Sequence, residues 1–336
     1  MDAFISLSPL EQRLYCEQAQ STLNLPPTSI EKDFWVCWTL RELFTLQGWG
    51  EHLAFKGGTS LSKAWKLIER FSEDIDVVME REFLGFHGPK LNDKQQKKLI
   101  KKCSERIQND LRPALEARFK AFLPPTAQWS LTPASTDEDP DQQTLLFAYP
   151  VAVGRSTYLR PVVKIEMGAR SEVEPSEIPI LAPYLCDVFP EQLGDGTFSI
   201  KTVVARRTFW DKAMLLHEET YRPANKVRKR SIARHYYDLW CLIHKGVAAQ
   251  AVADHDLFNR VAIHRQTFFG YSWMDYSTLR PGSLRMLPLP EQLAAWQADY
   301  REMTKEMFFG TVPSFEEILE TIGQFQRQIN RMGTPQ

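Results

Sequence analysis

The chain has 336 residues, 43% of them hydrophobic, enough for one large core or two of ordinary domain size, and two lobes are the expectation. Lys and Arg total 41 against 42 Asp and Glu, a net charge of -1, so the molecule as a whole is not a basic nucleic-acid coat and any polyanion must meet a local patch. MDAFISLSPLEQRLYCEQAQ has neither a basic n-region nor a continuous apolar stretch, and no later run approaches the ~20 apolar residues of a membrane span, so a cytoplasmic protein with no membrane contact is expected.

Apolar residues recur at helical spacing from Ser8 to about Thr22 and from Ser29 to about Phe44, where Val36, Leu40, Leu43 and Phe44 stand among polar neighbours. HLAFKGG reads as a short strand entering a glycine turn, TSLSKAWKLIERF as the helix after it, and DIDVVME as a second strand. Asn92 to about Phe122 forms one long amphipathic pattern, with Leu99, Cys103, Ile107, Leu111 and Leu115 on one side and Lys94, Lys97, Lys98, Lys101 and Lys102 on the other; Pro113 kinks or splits it. QWSLTP and TLLFAYPVAV resemble hairpin strands around STDEDPDQQ, YLRPVVKIEM reads as a further strand, and Pro175 to Pro190 as a loop or crossover.

After FSIKTVVA the pattern turns helical, in TFWDKAMLLHEET, SIARHYYDLWCLIHK and two or three more segments up to Ile329. The fold class is therefore α+β, a mixed sheet lobe with flanking helices over residues 1–206 and a helical lobe over 207–336, joined near Arg207. Cys16, Cys37, Cys103, Cys186 and Cys241 are odd in number and form no CxxC pair, which argues against a disulfide framework or a zinc site and for buried thiols.

The chemistry concentrates in FKGGTSLSKAWKLIERFSEDIDVV. Asp74 and Asp76 alternate with Ile75 and Val77, so in a strand both carboxylates share a face, about 6.6 Å apart at their origins. That spacing brackets a pair of divalent ions about 3.5–4 Å apart, and hard oxygen ligands suit Mg²⁺ or Mn²⁺. A DxD alone is common in exposed acidic turns. Gly57 and Gly58 add a backbone that a ligand can approach closely, and a helix starting after Thr59 aims free N–H groups at an anion, with the Thr59 and Ser60 hydroxyls beside it. A carboxylate pair and a triphosphate cradle thus fall in one strand-turn-helix-strand unit.

These residues resemble the nucleotidyltransferase superfamily that includes DNA polymerase β, and more narrowly the AbiEii-type toxins of type IV toxin-antitoxin and abortive-infection systems. The likeness extends to IEKDFWV, TFWDKAMLLH, RHYYDLW and WQADYREMTKEMFFGTVPSFEEIL. It implies an enzyme that transfers a nucleoside monophosphate from an NTP and releases pyrophosphate, with Mg²⁺ or Mn²⁺ on Asp74, Asp76 and a third carboxylate for which VVKIEM offers Glu166. Glu166 serves either as metal ligand or as base, or else forms a surface pair with Lys164. Gly57, Gly58, Thr59, Ser60, Lys63 and Ser72 are the expected nucleotide contacts.

The resemblance places the motif lysine at Lys212, on the β- and γ-phosphates, and Asp238 either orients Lys212 or a phosphate-binding Arg, or is simply paired within the helical lobe. RHYYDLW departs from the family's RDxYDL form, since His235 stands where that pattern has an aspartate. Between Lys201 and Arg234 basic residues far outnumber Asp211, Glu218 and Glu219, so Lys226, Arg228, Lys229 and Arg230 form either a nucleic-acid grip or a solvated loop.

The resemblance further implies a growth-inhibiting toxin held by a separately encoded antitoxin, with RNA, best the tRNA 3′ end, as acceptor. Rival readings are a catalytically silent nucleotide- or partner-binding protein, transfer to a protein or small molecule, and a DxD glycosyltransferase.

Overall fold

The computed structural model describes residues 1–72, 74–88, 91–154, 160–304, 307–308 and 312–332. Glu73 of SEDID, Tyr158 and Leu159 of YLRPVVKIEM, and parts of the MTKEMFFGTV stretch lie outside the described residues. The chain divides into two compact units, one of Met1–Trp65 with Phe71–Val203 and one of Lys66–Arg70 with Val204–Gln336.

Among the described residues the first unit holds nine strands: β1 (Leu53–Lys56), β2 (Ile75–Met79), β3 (Ser130–Pro133), β4 (Thr144–Ala148), β5 (Val162–Gly168), β6 (Ser176–Glu177), β7 (Ile180–Leu181), β8 (Phe198–Ser199) and β9 (Thr202–Val203). Seven of them form one mixed sheet in the order β3-β4-β5-β2-β1-β9-β6, while β7 and β8 pair separately. β2 runs antiparallel to β1 and parallel to β5. Strand β5 alternates strictly, Val163, Ile165 and Met167 buried and Val162, Lys164 and Glu166 half-exposed, the pattern of a sheet with one face on the core. Two short strands and the helix Tyr184–Val188 occupy the Pro-rich stretch expected to be a loop or crossover.

Helix Pro9–Leu23 starts from a capping box in which Ser8 and Glu11 satisfy each other's backbone N–H. Helix Pro27–Phe44 is buried on almost every side, and its Trp35 and Trp38 pack edge-on with ring centroids 5.6 Å apart. The long lysine-rich pattern is continuous: helix Asp93–Arg106, a π turn over Ile107–Leu111, then helix Arg112–Phe122. The wider turn directly precedes Pro113, where a regular helix would lose a hydrogen bond to the proline ring. All five cysteines are buried.

The helix expected over TSLSKAWKLIERF is shorter than its periodicity suggests. A helical run of Gly57–Thr59 and Ser60–Ala64 ends there, and Lys66 takes a left-handed φ of 53°. Residues Lys66–Arg70 belong to the second unit.

That unit holds helices Ala205–Tyr221, Arg234–His244, Val247–Ala253, His255–Phe268, Pro290–Thr304 and Phe315–Met332, so among the described residues four α-helices follow His244 where two or three were expected. In the last of them Phe315, Ile318, Ile322, Phe325 and Ile329 are buried at helical spacing. No described helix is long and apolar enough to cross a membrane.

Candidate active site

Asp76 is the second residue of β2, and Asp74 stands one position before the strand begins. Ile75 and Val77 are buried while Asp74 and Asp76 are half-buried, as period-two alternation requires. Lys56 and Asp76 are partners across β1 and β2, Asp76 and Glu166 across β2 and β5, and Glu166 and Thr144 across β5 and β4. Lys56, Asp76, Glu166 and Thr144 therefore form a row across four neighbouring strands, with side chains on one face. Lys56 Nζ donates to Ser171 Oγ at 3.0 Å.

Lys164 pairs with Glu166 along β5. Half-burial opposes its charge, but Glu166, Asp74 and Asp76 together raise its pKa. The Lys164 ammonium is thus within electrostatic reach of all three carboxylates. Among the described residues no three His, Cys, Asp or Glu side chains are gathered as a ready-made metal cluster. Asp74, Asp76 and Glu166 are carboxylates, the donor chemistry that a hard divalent cation takes.

Gly57 explains how Asp76 is seated. A Cβ at Gly57 would stand 1.9 Å from Asp76 Oδ2, and Gly57 has a φ of +81°. Only glycine leaves room for the carboxylate and tolerates that backbone. Gly58 follows Gly57 within the helical turn. The Thr59 and Ser60 hydroxyls are engaged locally: Thr59 Oγ1 donates to the Asp74 carbonyl at 2.6 Å and lies 2.9 Å from Ser72 Oγ, and Ser60 Oγ donates to the Gly57 carbonyl at 2.9 Å. Thr59 and Ser72 thereby fix the backbone at Asp74.

Lys63 faces elsewhere in the same unit. Its Nζ lies 2.8 Å from Asp33 Oδ1 and 3.4 Å above the Tyr184 ring. Burial opposes its charge, and the Asp33 carboxylate outweighs that and raises its pKa.

Sequence reasoning missed this set of buried charges. Glu31 accepts from the Ala152 and Val153 N–H groups, Lys32 donates to the Arg160 carbonyl, and Asp33 accepts from the Tyr184 N–H. The signal was available in IEKDFWV, where three successive charges interrupt an otherwise apolar helix.

In the second unit Lys212 is 6% exposed and Asp238 fully buried. Lys212 Nζ lies 2.7 Å from Asp238 Oδ2, and Arg70 binds the same carboxylate through Nε at 2.7 Å and Nη2 at 2.8 Å. Burial works against the Asp238 charge, and Arg70 and Lys212 overcome it and hold its pKa well below the carboxylate range. Burial and the neighbouring Arg70 and Arg234 lower the pKa of Lys212 despite Asp238. His235 Nδ1 is 3.3 Å from Lys212 Nζ, and burial with that cation keeps the imidazole neutral, so it accepts from the ammonium. Asp238 thus pairs with Lys212 and with Arg70 at once, and the sequence did not identify Arg70 as the arginine involved.

A family model for the nucleotidyl transferase AbiEii toxin of type IV toxin-antitoxin systems matches residues 38–321. The chain belongs to the AbiEii family. As an AbiEii protein it is a nucleotidyltransferase of the toxin class, acting on an NTP. Among solved structures it is similar to JHP933 from Helicobacter pylori, with 15% identity over 88% of each chain and a TM-score of 0.39. It is also similar to MenT4, a nucleotidyltransferase toxin from Mycobacterium tuberculosis H37Rv, with 19% identity over 93% of this chain and 95% of that one and a TM-score of 0.42. No curated protein matches the sequence.

Proposed function

We propose that this AbiEii protein transfers a nucleoside monophosphate to an RNA hydroxyl, best that of a tRNA 3′ end, under the control of a separately encoded antitoxin. The observation that carries the reading is the row of Lys56, Asp76 and Glu166 on adjoining strands, with Gly57 leaving space over Asp76. Residues 1–206 carry the carboxylates, and residues 207–336 contribute Lys212.

Asp74, Asp76 and Glu166 are the residues that would hold Mg²⁺ or Mn²⁺, which when bound supplies Lewis-acid stabilisation of the attacking and leaving oxygens. The acceptor hydroxyl attacks the α-phosphorus in line, its O–P bond forms as the bond to the β-phosphate oxygen breaks, and pyrophosphate leaves. Glu166 is the candidate to take the hydroxyl proton. Gly57 and Gly58 give the phosphates close access to backbone, and Lys212, aligned by Asp238, meets the charge that develops on the leaving group. Lys63 and Ser72 act on the nucleotide through the loops they brace.

Arg228 is committed to Glu219 at 2.9 Å and to the Trp296 ring at 4.2 Å, whereas Lys226, Lys229 and Arg230 are exposed. A backbone grip in this segment therefore falls to those three.

The test incubates the protein with each α-labelled NTP, Mg²⁺ and total cellular RNA. One nucleotide should enter an RNA band of tRNA size, EDTA should stop the reaction, and coexpressed antitoxin should relieve toxicity. Label entering only protein or a small molecule would overturn the RNA reading.

A further inference from the structure

The helix Asp93–Arg106 carries Lys94, Lys97, Lys98, Lys101 and Lys102, all exposed. Their spacing of three, one, three and one puts them on one side of the helix, in three successive rungs over about 12 Å at 1.5 Å rise per residue. The opposite side is spent on the core, with Leu99 and Cys103 fully buried. The helix is rigidly started by a capping box of Asn92 and Gln95. Its acidic residues are Asp93 in the first turn and Glu105 near the end. Lys101 lies 3.9 Å from Glu105, both well exposed, a contact that neutralises little. Among the described residues Lys94, Lys97, Lys98 and Lys102 make no ion pair.

Such a surface selects its partner by what it lacks. A membrane-binding helix turns an apolar face to the lipid, whereas here that face is buried in the protein. A protein interface is anchored by aromatic, Met or Arg side chains and is poor in lysine, and no large hydrophobic residue between Asp93 and Arg106 is exposed. Compact, flexible ammonium groups in a row suit a repeating phosphate backbone without base-specific contacts.

We propose that the lysine side of helix Asp93–Arg106 is a docking track for the sugar-phosphate backbone of RNA, independent of sequence. The choice of RNA rests on the acceptor reading above. The track neutralises several phosphates and holds the acceptor on the unit that carries Asp74 and Asp76.

The test is a full-length variant with Lys94→Gln, Lys97→Gln, Lys98→Gln, Lys101→Gln and Lys102→Gln, all exposed positions where glutamine keeps helix propensity. Circular dichroism and thermal melting verify its fold. Binding of a fluorescent single-stranded RNA of about 20 nucleotides is measured over a salt series; each phosphate contact contributes about 0.7 to the slope of log K against log salt, so the variant should lose up to about 3.5. NTP binding should stay the same. A variant with wild-type RNA affinity and slope overturns the proposal, as does one that loses binding to anionic lipid vesicles while RNA binding is unaffected.

Nucleotide incorporation into RNA is measured alongside. Lysine-dependent RNA binding without incorporation leaves the track standing and removes the acceptor reading. Incorporation with an unchanged salt slope does the reverse.

Discussion

Gly57→Ala tests how the Asp76 carboxylate is positioned, because it combines two separable insults. The φ of +81° imposes the left-handed penalty of about 1–2 kcal/mol on any residue with a Cβ. In addition, the new methyl would stand 1.9 Å from Asp76 Oδ2 and 2.6 Å from its Cγ, so the carboxylate must move by more than an ångström to reach ordinary contact. Gly85 isolates the first insult, since its φ is +83° and nothing lies within 4 Å of its Cβ position. Gly85→Ala should lose about 1–2 kcal/mol in urea unfolding, and Gly57→Ala at least as much. Only Gly57→Ala should lose transfer, by about 100-fold or more in kcat/KM, the usual penalty for an ångström of misplacement at a reacting group. The assay is pyrophosphate release under saturating Mg²⁺. Wild-type kcat/KM in Gly57→Ala, or an equal loss in Gly85→Ala, would refute the role assigned to that space.

Asp238→Ala should destabilise the protein by about 3–5 kcal/mol in chemical unfolding, because Arg70 and Lys212 would remain buried without their carboxylate, and adding Arg70→Met should recover part of the loss. His217, buried and near Arg285, has its pKa lowered to about 4 from 6.5, accepting from the Arg285 N–H at 2.8 Å. The unfolded chain binds the proton first, so stability should fall by about 3 kcal/mol as pH drops from about 6.5 to about 4, and His217→Gln should flatten that dependence in unfolding titrations. Glu166→Gln should weaken both the pairing with Lys164 and transfer, read as a fall in kcat rather than in NTP affinity. Lys212→Ala should impair transfer to every acceptor alike, measured as kcat/KM with two unrelated RNAs.

The site's acidic edge was legible because its signal is local. Period two alone sets Asp76 opposite the buried Ile75 and Val77, and the same alternation in VVKIEM puts Lys164 and Glu166 on one face. What could not be read was the cross-strand register that makes Glu166, rather than another residue of β5, the partner of Asp76. The helix after Thr59 was overextended because KLIERF keeps helical periodicity, while the chain leaves the helix to deliver Arg70 to a carboxylate distant in sequence. Lys63 was expected among the nucleotide contacts, and its pairing with Asp33 depends on packing that no spacing reveals. Lys212 and Asp238 came from the family motif, and the burial of both distinguishes them from ordinary helix charges.

The segment Lys66–Arg70, assigned to a unit whose other residues begin at Val204, also has a consequence for synthesis on the ribosome. Arg70 is translated 168 residues before Asp238. At about 5–20 residues per second that is a delay of roughly 10 to 30 s in which the nascent chain carries a guanidinium destined for a dry interior but not yet supplied with its counterion. A polypeptide that ends before residue 238 lacks the carboxylate that Arg70 and Lys212 share, and a gene split after Val203 would divide the Arg70–Asp238 pairing between two products. Two fragments could restore it only if the early one presented its five-residue excursion to the late one.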